Sequence, residues 1–218
     1  RVYDLVEVTR EDVLFVNAAV PCRSFSIASH SGHGRVIASD PGGHGCNFRK
    51  VDQFRTPCCD RKNCKYGIIA RQHDMLAKGV KEAFEYEKTQ DDDFQWGIEN
   101  PAYGDLPRRD YMQPERWDTE YAKVSPIDMC AYYGGKYKAP KVYYTSMTGY
   151  VPEGRTGDGK CNQGKCGQGK INPVTQQFVH DGKLGRDPKD GPRGPGALKE
   201  KNSYPDEWSL ELLKNALK

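Results

Sequence analysis

Two short strand-like runs flank a segment with helical spacing, and this order restricts the fold more than any other feature of the chain. Residues 13–20 form a near-continuous apolar run that stops at Pro21, the pattern of a strand buried on both faces. Residues 68–88 place Ile69, Met75, Leu76, Val80, Ala83 and Phe84 near helical spacing with mixed charges opposite. That spacing predicts an amphipathic helix of about five turns. After the polar break at Asp91, Asp92 and Asp93, residues 94–98 read as a second short strand leading into Glu99. Strand, crossover helix, strand is the unit of a parallel sheet, so the expected class is α/β.

Length and composition set the scale of that fold. With 218 residues the chain suits one domain, or one domain with a small appendage. Hydrophobic residues make up only 36% and mean hydropathy is −0.84, so the core is modest and much of the chain is loop or solvated surface. Residues 121–129 and 138–147, rich in Tyr, Val and Thr, predict further strands. Residues 32–65 are rich in Gly, His, Cys and basic side chains without periodicity and read as a long irregular insertion, ordered by a partner, a metal or both. Gly, Pro, Lys and Asp dominate residues 149–202, where no element longer than a few residues is expected. A closing helix over 205–217 carries Trp208, Leu210, Leu212, Leu213 and Leu217, with Ser203 or Asp206 as its cap. The expected organisation is an α/β core over 1–148 and a loop-rich C-terminal subdomain over 149–218.

A net charge of +3 is too small to make the whole molecule a polyanion binder, so any nucleic-acid surface must be local. No apolar stretch approaches the roughly 20 residues that span a bilayer, and no signal-peptide pattern is present. The expected setting is intracellular, soluble or peripheral, an organellar complex included.

The chemistry-bearing residues stand at the ends of the two strands. Cys22 begins the loop after the first, and Glu99 follows the second. In open α/β sheets ligands collect at the carboxyl ends of strands, so a thiol and a carboxyl on neighbouring strand ends form a nucleophile and acid pair. The plainer reading of Cys22 is a structural thiol.

Eight cysteines, at positions 22, 46, 58, 59, 64, 130, 161 and 166, are too few and too unevenly spread for a small disulfide scaffold. Cys161 and Cys166, with His180 downstream and Cys130 as a fourth ligand, offer the donor types of a zinc site; free thiols or a disulfide are the competing readings. Cys46, Cys58, Cys59 and Cys64, with His44 nearby, form a similar but weaker cluster, because adjacent cysteines rarely bind one ion. In an oxidising compartment a bridge from Cys58 or Cys59 to Cys46 or Cys64 replaces it.

Four blocks in order resemble the cytosine-5 DNA methyltransferases, in their compact divergent phage and algal form. They are Pro21-Cys22 with Ser24-Phe25-Ser26, and Glu99-Asn100-Pro101 followed by Gly104, Leu106, Tyr111 and Met112. The third is Cys130-Ala131-Tyr132-Tyr133-Gly134 with Lys138-Ala139-Pro140, and the fourth is Tyr204-Pro205 opening the closing helix. The resemblance covers nearly the whole chain. It implies a partial Rossmann-like methyltransferase sheet with long irregular insertions, and a Cys22 thiolate that attacks a flipped cytosine held by Glu99. It further implies substrate contacts from Ser24, Asn100, Arg108, Arg109 and Lys138, duplex DNA as partner and S-adenosylmethionine as methyl donor.

The departures shape the expectation. The family's Phe-x-Gly-x-Gly cofactor motif is missing from the 21 residues before Cys22. Its second proline is Val20, and its usual Gln and Arg positions are held by Ala131 or Tyr132 and by Tyr137 or Lys138. The expectation is an enzyme whose cofactor half lies outside this chain. The alternative is a non-catalytic descendant serving as a structural or accessory subunit of a larger assembly, and a third reading is a zinc-stabilised nucleic-acid-binding module. Residues 155–201, basic and glycine-rich, are a DNA-facing segment in the first and third readings and an assembly extension in the second.

Overall fold

The computed structural model describes residues 13–22, 24–25, 48–49, 52–57, 64–132, 139–162, 164–180 and 205–218. Strand β1 (Phe15–Ala19) lies parallel to β2 (Gln95–Pro101), with Ala19 opposite Glu99, and helix α1 (Lys65–Gln90) connects them. The strand–helix–strand unit predicted from the apolar pattern is therefore present.

The remainder of the sheet is not parallel. Strand β4 (Lys141–Thr145) runs antiparallel to β2, β3 (Ala122–Ile127) runs antiparallel to β4, and the order is β1-β2-β4-β3. Between β2 and β3 the chain makes only short 3-10 turns, two of them with a proline, Pro107 or Pro114, in their first two positions. The connection is still long enough to carry β3 past the sheet, pointing the same way as β2, and β4 then returns between them. The fold is mixed α/β with a mixed sheet.

Alternation along β2 and β4 divides the core. Trp96, Ile98, Val142 and Tyr144 face α1 with Ala77, Phe84 and Phe94, while Tyr143 packs on the other face with Trp208 and Leu212 of helix α2 (Asp206–Ala216). Five consecutive β2 residues are buried because both faces are covered. Strand β1 departs from its expected burial: it sits at an edge, mostly half-exposed, and Leu14 is 57% exposed.

Helix α1 covers the predicted span but presents a different face. Gly67, Ala70, Ala77, Lys81, Phe84 and Glu85 are buried, whereas Met75 and Leu76 are exposed. Small side chains let the helix approach the sheet closely. The space around them is filled from elsewhere by Trp96 and Trp117, stacked at 5.3 Å and 7°, with Tyr121 on Trp117 at 4.3 Å. Cys64 caps the helix, its sulfur accepting from the Gly67 amide at 3.3 Å. Its companions Cys46, Cys58, Cys59 and His44 in the second nominated cluster lie outside the described residues.

Beyond β4 the only elements among the described residues are a 3-10 turn (Gly154–Thr156), the hairpin β5 (Gly169–Ile171) with β6 (Phe178–His180), and α2. The expected cap of α2 is corrected: Pro205 occupies the position without a side-chain hydrogen bond, Asp206 is the first helical residue, and Ser203 is outside the described residues. What fastens α2 is Glu211, which accepts from Tyr150 Oη at 2.7 Å, Tyr132 Oη at 3.1 Å and the amides of Glu153 and Gly154 at 3.1 and 3.0 Å. No helix among the described residues is long and apolar enough to cross a membrane.

Gly97 gives this packing a direct test. A Cβ there would sit 1.8 Å from Tyr143 Oη and 2.3 Å from its Cζ, and the Tyr143 ring is enclosed on all sides. Gly97→Ala is expected to lower stability by about 1–3 kcal/mol in urea unfolding, through overpacking. Unchanged stability would show that the ring has room to move.

Candidate functional site

The fold brings all four nominated metal ligands together. Cys130 lies in the 3-10 turn Met129–Ala131 just after β3, Cys161 and Cys166 flank a short turn that contains Gly164, and His180 ends β6. Their donor atoms all lie within 4.8 Å of one another. His180 Nε2 is 3.3 Å from Cys130 Sγ, 3.3 Å from Cys161 Sγ and 3.5 Å from Cys166 Sγ, and the Cys161 and Cys166 sulfurs are 3.1 Å apart. A tetrahedral ion with sulfur bonds of about 2.3 Å and nitrogen bonds of about 2.05 Å has ligand edges of roughly 3.5–3.8 Å. These four separations are at or slightly below that range and the Cys161 and Cys166 sulfurs are too far apart for a disulfide, so the three thiols are free and able to hold a metal.

Local sequence explains the convergence. Asp128 receives the Cys161 amide at 2.8 Å on its side chain and gives its own amide to Gly159 O at 2.8 Å, locking the Cys130 turn against the Cys161 segment. Arg155 Nη2 donates to the Cys130 carbonyl at 2.8 Å. Gly164 and Gly167 adopt φ of 85° and 67° to turn the chain, and a Cβ on Gly164 would lie 2.3 Å from the Phe178 ring. Phe178 in turn meets the His180 ring edge-on at 5.1 Å. The Gln168 amide points at Cys166 Sγ at 3.4 Å, a contact that favours thiolate. Burial, reinforced by the neighbouring thiols, pushes the Cys130 thiol up, and burial does the same to Cys166. A bound cation opposes that tendency, since a coordinated thiol is deprotonated.

A second constellation lies at the strand ends. Cys22 is exposed three residues beyond β1, in a turn closed by the Phe25 amide on the Cys22 carbonyl at 3.0 Å. Glu99 lies inside β2 rather than after it, is 4% exposed, and pairs with Lys141 Nζ at 2.6 Å. Asn100 is fully buried and donates from Nδ2 to the Val20 carbonyl at 3.1 Å, while the Asp105 amide donates to the Phe25 carbonyl at 2.6 Å. The segments following β1 and β2 are therefore tied to each other on both sides of Cys22. Gly104 permits this approach, since a Cβ would stand 2.6 Å from the Phe25 oxygen.

The other nominated substrate contacts are placed differently. Ser24 is buried, its hydroxyl 3.0 Å from both Arg49 Nη2 and His73 Nδ1. Arg109 is turned inward onto Asp74 at 2.9 Å and the Phe54 carbonyl at 2.5 Å, Arg108 is exposed, and Lys138 lies outside the described residues. Tyr111 Oη also donates to Asp74 at 2.9 Å, and burial together with that carboxylate pushes the Tyr111 phenol up.

Sequence reasoning passed over Lys141, Asp74 and Arg49. Lys141 directly follows the recognised Ala139-Pro140 and was detectable there. Asp74 reads as part of a solvated helix face and Arg49 sits in a stretch without periodicity, so neither carried a signal.

No protein-family model matches the chain, no curated protein matches it, and no solved structure matches its fold.

Proposed function

We propose that this chain is a cytosine-5 DNA methyltransferase-like protein that contributes the base-binding side of the reaction, with a structural zinc ion holding its C-terminal lobe. The observation that carries the reading is the placement of Cys22 just beyond β1 and of Glu99 within the adjacent parallel strand β2, with the chain on either side of Cys22 tied to Asn100 and Asp105. Strand ends of this kind present reacting groups from a rigid frame.

In this reading the Cys22 thiolate adds to ring carbon 6 of a flipped cytosine in duplex DNA. A carbon–sulfur bond forms and the electron pair of the 5,6 double bond moves onto carbon 5 and the ring. Glu99 receives the exocyclic amine and hydrogen-bonds ring nitrogen 3, and Lys141, already 2.6 Å from Glu99, offers a donor for the carbonyl oxygen on carbon 2. The described residues do not fit S-adenosylmethionine: their positive-φ glycines cluster at 154–167 around the metal ligands, and none follows a parallel strand. No step is derived through that cofactor.

Zinc is the ion that the donor set favours. Three thiolates and one imidazole are soft to borderline ligands, and four protein donors leave no open position for water, which makes the site structural.

The test uses the reversibility of thiol addition. Carbon 5 of the adduct takes a proton from water, and loss of the original hydrogen with expulsion of the thiolate restores cytosine, so tritium at carbon 5 escapes without any methyl donor. Wild-type protein is expected to release tritium from duplex DNA labelled at cytosine carbon 5, and Cys22→Ser to fall at least about 1,000-fold. No release by wild type would overturn the catalytic reading.

One set of contacts favours a second reading, a non-catalytic subunit of a larger assembly. Ser24 and Arg109 are taken up by internal partners. Absence of tritium release, with stoichiometric co-purification of other subunits and no salt-sensitive DNA retention, selects it.

A further inference from the structure

Between the Cys22 turn and helix α1 lies a buried ionic cluster. The Arg49 side chain is 0% exposed and all its N–H groups are engaged. Nε donates to the Ser24 carbonyl and Nη2 to the Ser24 hydroxyl, both at 3.0 Å. Nη1 reaches Asp74 Oδ2 at 3.0 Å and the Arg55 carbonyl at 3.1 Å, and Nη2 also meets Asp74 Oδ1 at 3.0 Å. The guanidinium lies over the Phe25 ring at 4.1 Å. One arginine thus grips both residues that end the Cys22 turn and anchors them to a carboxylate on α1.

That carboxylate is itself held. Arg109 Nε and Tyr111 Oη each contact Asp74 Oδ1 at 2.9 Å, so Asp74 cannot rotate away from Arg49 without breaking contacts to the segment after β2. The cluster therefore triangulates three parts of the chain: the turn after β1, helix α1, and the loop after the strand that carries Glu99.

We propose that Asp74 and Arg49 are positioning residues for Cys22, fixing the turn so that the thiol keeps a set orientation toward the base held at Glu99. This rests on Cys22 being the reacting thiol. A guanidinium with every donor used has one geometry, unlike an ammonium, which swivels on a flexible stem. Arg49→Lys keeps the charge and loses the two-handed grip on Ser24. Asp74→Asn keeps the shape and loses the anion that faces two guanidiniums.

Two readouts test the idea on the full chain, with bound metal per chain as the folding control. The first is amide hydrogen exchange of a peptide covering residues 20–25, where the Ser24 amide faces His73 Nδ1 at 3.4 Å and the Phe25 amide bonds the Cys22 carbonyl. In Arg49→Lys and Asp74→Asn this peptide is expected to exchange at least about tenfold faster, while α1 and β4 stay as in wild type. The second is tritium release at saturating and limiting DNA. The turnover rate is expected to fall at least about tenfold with the half-saturating DNA concentration little changed, the signature of misplacement.

Unchanged exchange over residues 20–25 overturns the proposal, whether or not the protein is active. Faster exchange with an unaltered turnover rate also overturns it. If wild type releases no tritium, the catalytic reading fails, and the hydrogen-exchange arm alone decides whether Arg49 and Asp74 hold the turn. Uniform loosening of α1 and β4 marks a general structural role and counts against the proposal.

Discussion

Purified from zinc-containing medium, the chain is expected to carry one zinc per molecule, and Cys161→Ser or His180→Ala to reduce this below about a tenth. Among the described residues the lobe around the cluster has little else to hold it. Its strands there are three residues long, and the buried apolar cluster consists of the three cysteines with Phe178 packed against them. In small zinc modules the apparent binding free energy is roughly 10–16 kcal/mol, and much of it is folding free energy. Here Asp128 and Arg155 already hold the Cys161 and Cys130 segments, so only part of that energy is at stake, yet it exceeds what a three-residue hairpin supplies.

Loss of the ion is expected to remove protection from residues 159–180 in hydrogen exchange and to lower the thermal midpoint by about 10 °C or more, with α1 and β2 retained. Cobalt should enter the same site and give the intense visible bands of a tetrahedral thiolate centre. A metal-free wild-type protein with the same thermal midpoint as the metal-loaded form would rule out a structural ion.

The second large effect is expected at Glu85. Lys81 and Glu85 face the connection between β2 and β3, 4% and 5% exposed, with Lys81 Nζ 2.5 Å from Glu85 Oε2, 2.6 Å from the Arg116 carbonyl and 4.6 Å above the Trp117 ring. Glu85 Oε1 also receives the Asp118 amide at 2.7 Å. Glu85→Ala leaves an ammonium buried without its anion and is expected to lower stability by about 3–5 kcal/mol in urea unfolding. The paired replacement Lys81→Met with Glu85→Leu removes both charges together and should lose much less. Equal losses would mean that the single variant's deficit comes from volume rather than charge.

This pair also explains where sequence reading stops. The apolar pattern of α1 pointed to Met75 and Leu76 as core, yet those are exposed and the buried stripe runs through Ala70, Ala77, Lys81, Phe84 and Glu85. Periodicity detects apolar side chains, whereas this interface uses small residues for close approach and neutralises its charges internally. The reversed β4 was hidden for a similar reason, because strand composition says nothing of direction. Glu99 was placed one step too late, since a carboxylate in a strand reads as its end unless a partner such as Lys141 is known.

The convergence of Cys130, Cys161, Cys166 and His180 was legible because cysteine and histidine keep their ligand chemistry wherever the chain places them. The strand–helix–strand unit was legible because apolar runs of that length around a helical period have few other uses.

The route by which β1 joins the sheet bears on when the Cys22 thiol comes into place. Asn100 and Val20, whose hydrogen bond seals the β1 end, are 80 residues apart, whereas Ile127 meets Lys141 and Ile171 meets Phe178 across short connections. Closing a longer loop is entropically dearer, by about 0.6 kcal/mol for each doubling, and distant pairings form slowly. Local hairpins can assemble early, but β1 must wait until α1 has formed and turned the chain back. Among the described strands β1 therefore makes the longest-range pairing of the sheet, and the thiol that follows it is set in place only when β2 is there to receive it.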